Sequence, residues 1–347
     1  MTELRIDVPA ATTSVVLTLH PAEAPPDPPD PPAQTAGVWT SAAELAARPT
    51  SGPAWTALLA AAHAPATPNL ANQDDMADVR VMARGLVFAR TGDAAMRAEV
   101  VAACEAVVGT EGGARALALG RNLIGYVIGA DLVGHRSDRF VAWLRAVRNH
   151  VSTEAGSIIQ CHEDRPNNWG THCGASRAAI AAYLDDKTDF GRCAMVFKGW
   201  LGDRAAYAGF SYGDLWWQAN AAAPVGINPK GTMIQGHSVD GVLPDDQRRS
   251  GPFAWPPPKQ NYVYEALQGA IAQAVVLSRR GFDVWNWSDK ALLRAFTWLH
   301  SQAGFPAAGD DTWEPWIVNK AYGARFPAPL PSSPGKNVGF TCFTHGS

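Results

Sequence analysis

The sequence predicts an all-α fold, an incomplete (α/α) toroid of antiparallel helix hairpins with a short N-terminal extension. Three observations lead there. From about residue 42 onward, apolar residues recur at three-to-four spacing in segment after segment. Short turns rich in Gly, Asp and Thr separate these segments, which makes consecutive helices antiparallel neighbours. Helix pairs return at roughly 35–50 residue intervals without a short exact repeat, as in a solenoid closed on itself.

Taken in order, residues 1–35 read as a leader and linker, and 36–347 as the helical domain. The leader holds the β-prone run Val15-Val16-Leu17-Thr18-Leu19. Residues 23–33 (EAPPDPPDPPA) suit neither a helix nor an inner strand and read as an extended polyproline-like linker, a candidate attachment to a larger assembly. The N-terminus shows no apolar h-region, and no run of about 18 apolar residues stands out, so neither a signal peptide nor membrane insertion is expected. Localisation is left open, although a polymeric glycan substrate would lie outside cells.

Helices are expected near 42–48, 54–63, 77–91, 95–108, 115–134, 138–153, 169–185, 188–202, 261–280 and 288–303. Thr91-Gly92-Asp93 stops one helix and caps the next, Thr110-Glu111-Gly112-Gly113 separates another pair, and Ser288 with Asp289 opens the last. No series of alternating strands exists, which excludes a βαβ architecture. The interval 206–260 breaks the rhythm with Gly, Pro, Trp and Asn, and loops of that length usually carry function.

A charged fraction of 18% and a formal net charge of −3 give no broad basic surface, which argues against nucleic acid as a partner. An acidic ligand must therefore meet a local Arg or Lys cluster. The 47% hydrophobic content suffices for a large core. Thirteen Trp are many for this length, and those in Gly/Pro-rich stretches, Trp217 and Trp255 among them, would offer flat faces to sugar rings or fill the core under loops. Five scattered Cys do not make a disulfide framework.

Polar residues gather in three places. In Asp164-Arg165-Pro166-Asn167-Asn168-Trp169-Gly170-Thr171-His172-Cys173, the i, i+4 spacing puts Asn168 and His172 on one helical face, with Asn167 or Asn168 as the cap. A bland reading makes Asn168 a cap and His172 a satisfied core histidine. In the long loop, Arg248 and Arg249 offer forked donors for a carboxylate, and Tyr262 stands at the mouth of the next helix. Tyr264 is a further candidate contact, though better suited to the core. Arg121 and Asn122 interrupt the apolar stretch from Leu117 to Leu132, so they must be paired or face a cleft. Metal binding by Cys161-His162 and His172-Cys173 has no standard zinc spacing to support it.

At these residues the chain resembles the alginate lyase family of polysaccharide lyases with an (α/α) toroid. The resemblance spans about Ala42 to Arg325 and rests on Asn167-Asn168-Trp169, Asp240-Gly241-Val242-Leu243-Pro244, Arg248-Arg249-Ser250, Tyr262 before Ala266-Leu267, Gly120-Arg121-Asn122-Leu123 and Ala89-Arg90-Thr91-Gly92-Asp93. Trp169 stands where such enzymes carry a histidine, and residues around Pro252–Gln260 lengthen the distance from Arg249 to Tyr262. The resemblance implies β-elimination on a uronate polysaccharide. Asn168 and Arg249 would neutralise the carboxylate, and Tyr262 or His172 would move the proton. Asn167, Trp169, Arg121, Asn122, Arg248, Tyr264, Trp217 and Trp255 would contact the sugar. The scheme needs no metal or other cofactor. The alternatives are a glycoside hydrolase, with acids drawn from Glu163, Asp164, Asp214, Asp240 and Asp245/Asp246, and a non-catalytic glycan-binding module.

Overall fold

A computed structural model describes residues 37–346, all of which belong to one unit. The expected leader, its strand and its Pro-rich linker lie outside the described residues. The described chain is mostly helical. The chain runs through α1 (Ala42–Ala46), α2 (Pro53–His63), α3 (Ala77–Thr91), α4 (Ala94–Val107), α5 (Ala116–Asn122), α6 (Ile124–Val133) and α7 (Asp138–Val147). It continues through α8 (Ile158–Asp164), α9 (Asn168–Leu184), α10 (Lys187–Trp200), α11 (Pro244–Gln247), α12 (Tyr262–Ser278), α13 (Trp287–Ser301), α14 (Glu314–Tyr322) and α15 (Thr341–Thr344). One hairpin of β1 (Met233–Ile234) and β2 (His237–Ser238) turns at Gln235-Gly236, both with positive φ.

Local chemistry explains most boundaries. Ser41 and Glu44 form a capping box on α1. Gly92 ends α3 in the left-handed region at φ 75°, and the Asp93 carboxylate caps α4 by accepting from the Ala95 and Met96 amides. Three differences from the sequence reading have physical causes. The segment expected at 115–134 breaks at Leu123 into α5 and α6. The one expected to reach 153 stops at Val147, and a Ser157/Gln160 capping box then starts α8. Ser288, Asp289 and Lys290 sit at positive φ instead of capping, so right-handed helix in α13 begins only after them.

The helices fall into two kinds. On α7 only Phe140, Trp143, Leu144 and Val147 are buried, the i, i+3, i+4, i+7 stripe of a helix with one face to solvent. Every residue of α9 except Trp169 is buried, and on α12 only Tyr262, Glu265 and Ser278 are not. These two helices run parallel, since Thr171 meets Gly269 and Gly174 meets Gln273. A Cβ at position 269 would collide with the backbone of Thr171 and His172, so glycine is what permits the approach. The same parallel sense holds for α3 and α6, where Asp78 meets Gly125 and Val81 meets Gly129. The helices α3 and α9 are each followed by a short turn and a helix packed back against them, α4 and α10, and Arg177 of α9 pairs with Asp189 of α10 at 2.7 Å.

Ala116–Val133 has the length and mean hydropathy (1.3) of a membrane span. It is interrupted at Leu123 and covered by protein over nearly all its surface, as an inner helix must be.

Candidate active site

The parallel arrangement brings the first turns of α9 and α12 to one end of the molecule, together with α11 and the 3-10 turn Arg248–Ser250. Asn167 caps α9 by accepting from the Trp169 amide at 3.1 Å, and its own amide donates to Asp245 Oδ2 at 3.0 Å. Asp245 also accepts from the Gly213 amide and from Arg248 Nε, both at 2.9 Å. Arg248 reaches Asp214 as well, at 3.6 Å. Asn167 and Arg248 are therefore braces of the loop and do not present free donors to a sugar.

Asp246 ties α11 to the first turn of α9. Its Oδ1 accepts from the Asn168 amide at 3.2 Å, and it lies within the field of Arg249 and Arg248. Burial and the neighbouring Asp245 carboxylate push its pKa well above the usual range. The Asn168 side chain is fully buried, and neither its Oδ1 nor its Nδ2 has a partner. Such an amide is an uncommitted donor.

Arg249 and Tyr262 are both exposed, with the Arg249 guanidinium 4.1 Å from the centroid of the Tyr262 ring. Arg249 has no carboxylate partner, and the Tyr262 hydroxyl has none among the described residues. A planar cation and a phenol thus stand side by side at the surface.

His172 and Asn168 do lie on one helical face, and that face is closed to solvent at both residues, which makes His172 a core histidine. It is fully buried; its Nδ1 bonds Asn337 Oδ1, and its Nε2 lies 3.5 Å from Glu265 Oε2. The Asn337 amide donates to the Gly120 carbonyl at 3.0 Å, which turns its oxygen toward the imidazole and assigns the proton to Nδ1. Burial pushes the His172 pKa below the usual histidine value, against the pull of Glu265. The imidazole is a joint between α9, α12 and the C-terminal segment, and it is closed off from solvent.

Glu265, which the sequence reading passed over, is the centre of a second network. It accepts from Arg121 Nη2 and faces His172. Burial opposes its ionisation, but the cations Arg121 and Lys336 beside it hold its pKa below the usual carboxylate range. Arg121 also lies 3.5 Å from Asp74 Oδ1, and the Asn122 amide donates to the Asn72 carbonyl at 2.7 Å. Of the two outcomes open to Arg121 and Asn122, the structure shows pairing. A carboxylate inside the apolar run 261–280 carries the same signal that singled out Arg121, so Glu265 was findable by that logic.

The aromatic candidates divide. Trp217 is fully buried, donates its indole N–H to the Gly251 carbonyl at 3.0 Å and packs on Phe253, so it fills the core and offers no face to a sugar. Its neighbour Trp216, 44% exposed, holds the free face. Tyr264 is likewise core, its hydroxyl spent on the Phe305 carbonyl at 2.7 Å. Trp255 is part-exposed but stacks on His237 at 4.4 Å between centroids. Trp169 is half-buried, with the Arg115 guanidinium 5.7 Å from its ring centroid.

The acids of the hydrolase alternative are mostly committed. Glu163 is held by Arg177 and Arg192 at 2.9 and 2.6 Å, and Asp240 by Arg294 at 2.6 Å. Asp164, at the surface, accepts from the Ser211 hydroxyl. Cys161 and Cys173 lie against each other, but among the described residues no cluster of three His, Cys, Asp or Glu has the arrangement of a metal site. His162 instead contacts Arg177 and Gln273.

Compared with models of protein families and with curated proteins, the chain gives no match. Its chemistry has to be argued from the residues themselves.

Proposed function

We propose that the protein is a polysaccharide lyase cleaving a uronate-containing polysaccharide by β-elimination, on helices that follow the circular order of an incomplete (α/α) toroid. The parallel pairs α3/α6 and α9/α12, each backed by outer helices, support that architecture. The exposed stack of Arg249 on Tyr262 carries the chemical reading.

In a 4-linked uronate, removing the C5 proton beside an ionised carboxylate would build up a dianion. A fixed guanidinium at the carboxylate stabilises that charge as it develops, and a second donor adds to it. Arg249 is the cation. Asn168 supplies the uncommitted amide on the first turn of α9, and its burial requires the covering segment to move for contact. Tyr262 Oη, beside Arg249, takes the C5 proton. The C5–H electron pair becomes the C4–C5 double bond, the C4–O4 bond breaks, and the phenol returns the proton to O4. His172, Glu265 and Arg121 position α12 under Tyr262 and do not touch the sugar.

The test is incubation with alginate, glucuronan and glycosaminoglycans while ultraviolet absorbance of the 4,5-unsaturated product is followed. A rise with at least one polymer, lost in Tyr262→Phe, is the expected result. New reducing ends without the chromophore would replace the lyase by a hydrolase. Binding without turnover would leave a glycan-binding module.

A further inference from the structure

α12 has a second functional end. Tyr262 opens it, and Arg279 follows its last residue, about 25 Å away at the helical rise per residue. There a cavity of about 490 Å³, lined by Arg48, Trp316, Asn319, Lys320 and His345, adjoins one of about 280 Å³ through Lys320 and His345.

The charges in this groove do not cancel. Arg48 spends its donors on the Thr344 and Gly346 carbonyls, which satisfy hydrogen bonds but leave its charge. Lys320 makes no ion pair among the described residues. Among the described residues Glu44 is the one carboxylate in the lining, and Arg279 takes it, with contacts at 2.8 and 3.1 Å. Two positive charges are left over. Burial and the Arg48 charge press the Lys320 pKa downward, against the pull of Glu44. Trp316 and Lys320 are i, i+4 on α14, so an indole and an ammonium share one side of the groove. The Trp316 N–H is fixed on the Pro329 carbonyl at 3.1 Å, which holds the ring in place.

We infer that this groove binds an acidic saccharide, with Lys320 and Arg48 meeting its carboxylate and Trp316 carrying the face of a sugar ring. It is a second site for the class of polymer assigned to the Tyr262 end, and its ligand class rests on that reading. A cation pair alone would accept any small anion, whereas the indole selects a ring.

The experiment is calorimetric titration of Tyr262→Phe protein with a hexasaccharide of 1,4-linked mannuronate, with neutral cellohexaose as control. The expected result is binding that weakens with salt and falls at least tenfold in both Lys320→Met and Trp316→Ala, with none for cellohexaose. Native-chain Lys320→Met should keep its cleavage rate on short substrates. Titrations of Lys320→Met and Trp316→Ala that superimpose on the parent would overturn the inference, as would equal binding of cellohexaose. Citrate displacing the hexasaccharide with no effect of Trp316→Ala would reduce the groove to a simple anion site and overturn it too. The two readings fail separately: absence of the unsaturated product in the native chain sinks the lyase, while the groove is judged by binding alone.

Discussion

Arg249 lies over the face of Tyr262, 4.1 Å from the ring centroid, across a loop that separates them by a dozen residues. Neither side chain is needed to fill the core, so removing either should be read in turnover and not in folding. Tyr262→Phe should lower kcat about 10²–10⁴-fold, the usual share of a proton-transferring group. Its melting temperature should stay that of the parent, because the ring is 41% exposed and its hydroxyl is unpartnered. Arg249→Lys keeps charge but loses the flat fork, so its kcat should lie between those of the parent and Arg249→Ala. Parental kcat in Tyr262→Phe would remove it from the chemistry.

His172 should behave in the opposite way. Truncating it leaves Asn337 Oδ1 and one side of Glu265 without their partner in a sealed space. His172→Ala should lose roughly 2–5 kcal/mol of stability, the range for truncating a large buried side chain and orphaning a buried acceptor. His172→Asn, which can still donate to Asn337, should recover part of it. Chemical denaturation checks both. A stable but inactive His172→Ala would restore the imidazole to catalysis.

The contrast shows what the sequence could and could not carry. Helical periodicity and caps such as Asp93 are local, so α3, α4, α9, α10 and α12 stand near their expected places. The i, i+4 spacing of Asn168 and His172 puts them on one face, but spacing does not say whether that face meets solvent or α12. Close approach at Gly269 decides this, and it is a relation between two distant segments. Trp216 and Trp217 make the same point: adjacent in sequence, one is exposed and the other sealed beneath Gly251. The exposure of Arg249 and Tyr262 was legible because loop and helix start are both surface features. Glu265 was visible as a carboxylate in an apolar run, but Lys336 beside it comes from a segment with no pattern of its own.

Packing of the two inner helices should be sensitive to a single methyl. Gly269→Ala would drive a Cβ into the Thr171 and His172 backbone, which cannot yield as a side chain tip would. A loss of about 1–3 kcal/mol or more is expected, as for overpacked cores. Because the collision falls on the turn that carries Asn168, turnover per folded molecule should drop as well. Gly309→Ala, with nothing within 4 Å of its added methyl, strains only its own φ and should leave turnover alone.

Stability should also depend on pH in a direction set by acids held neutral. Burial raises the Asp311 pKa to about 7, with Asp310 and Glu265 adding to it. Burial acts the same way on Glu314, whose two oxygens have no partner. In the unfolded chain Asp311 ionises near 4, whereas the folded chain holds its proton until about 7. The unfolded state therefore binds fewer protons between these values, and its stability relative to the fold gains as pH rises through that window. Asp311→Asn keeps the acceptor for the Gln268 amide but removes the titration. At pH 4 the variant should match the parent, and at pH 8 it should be more stable by on the order of 2–4 kcal/mol. Denaturant midpoints at the two pH values check this; equal differences at both would show that Asp311 is ionised in the fold.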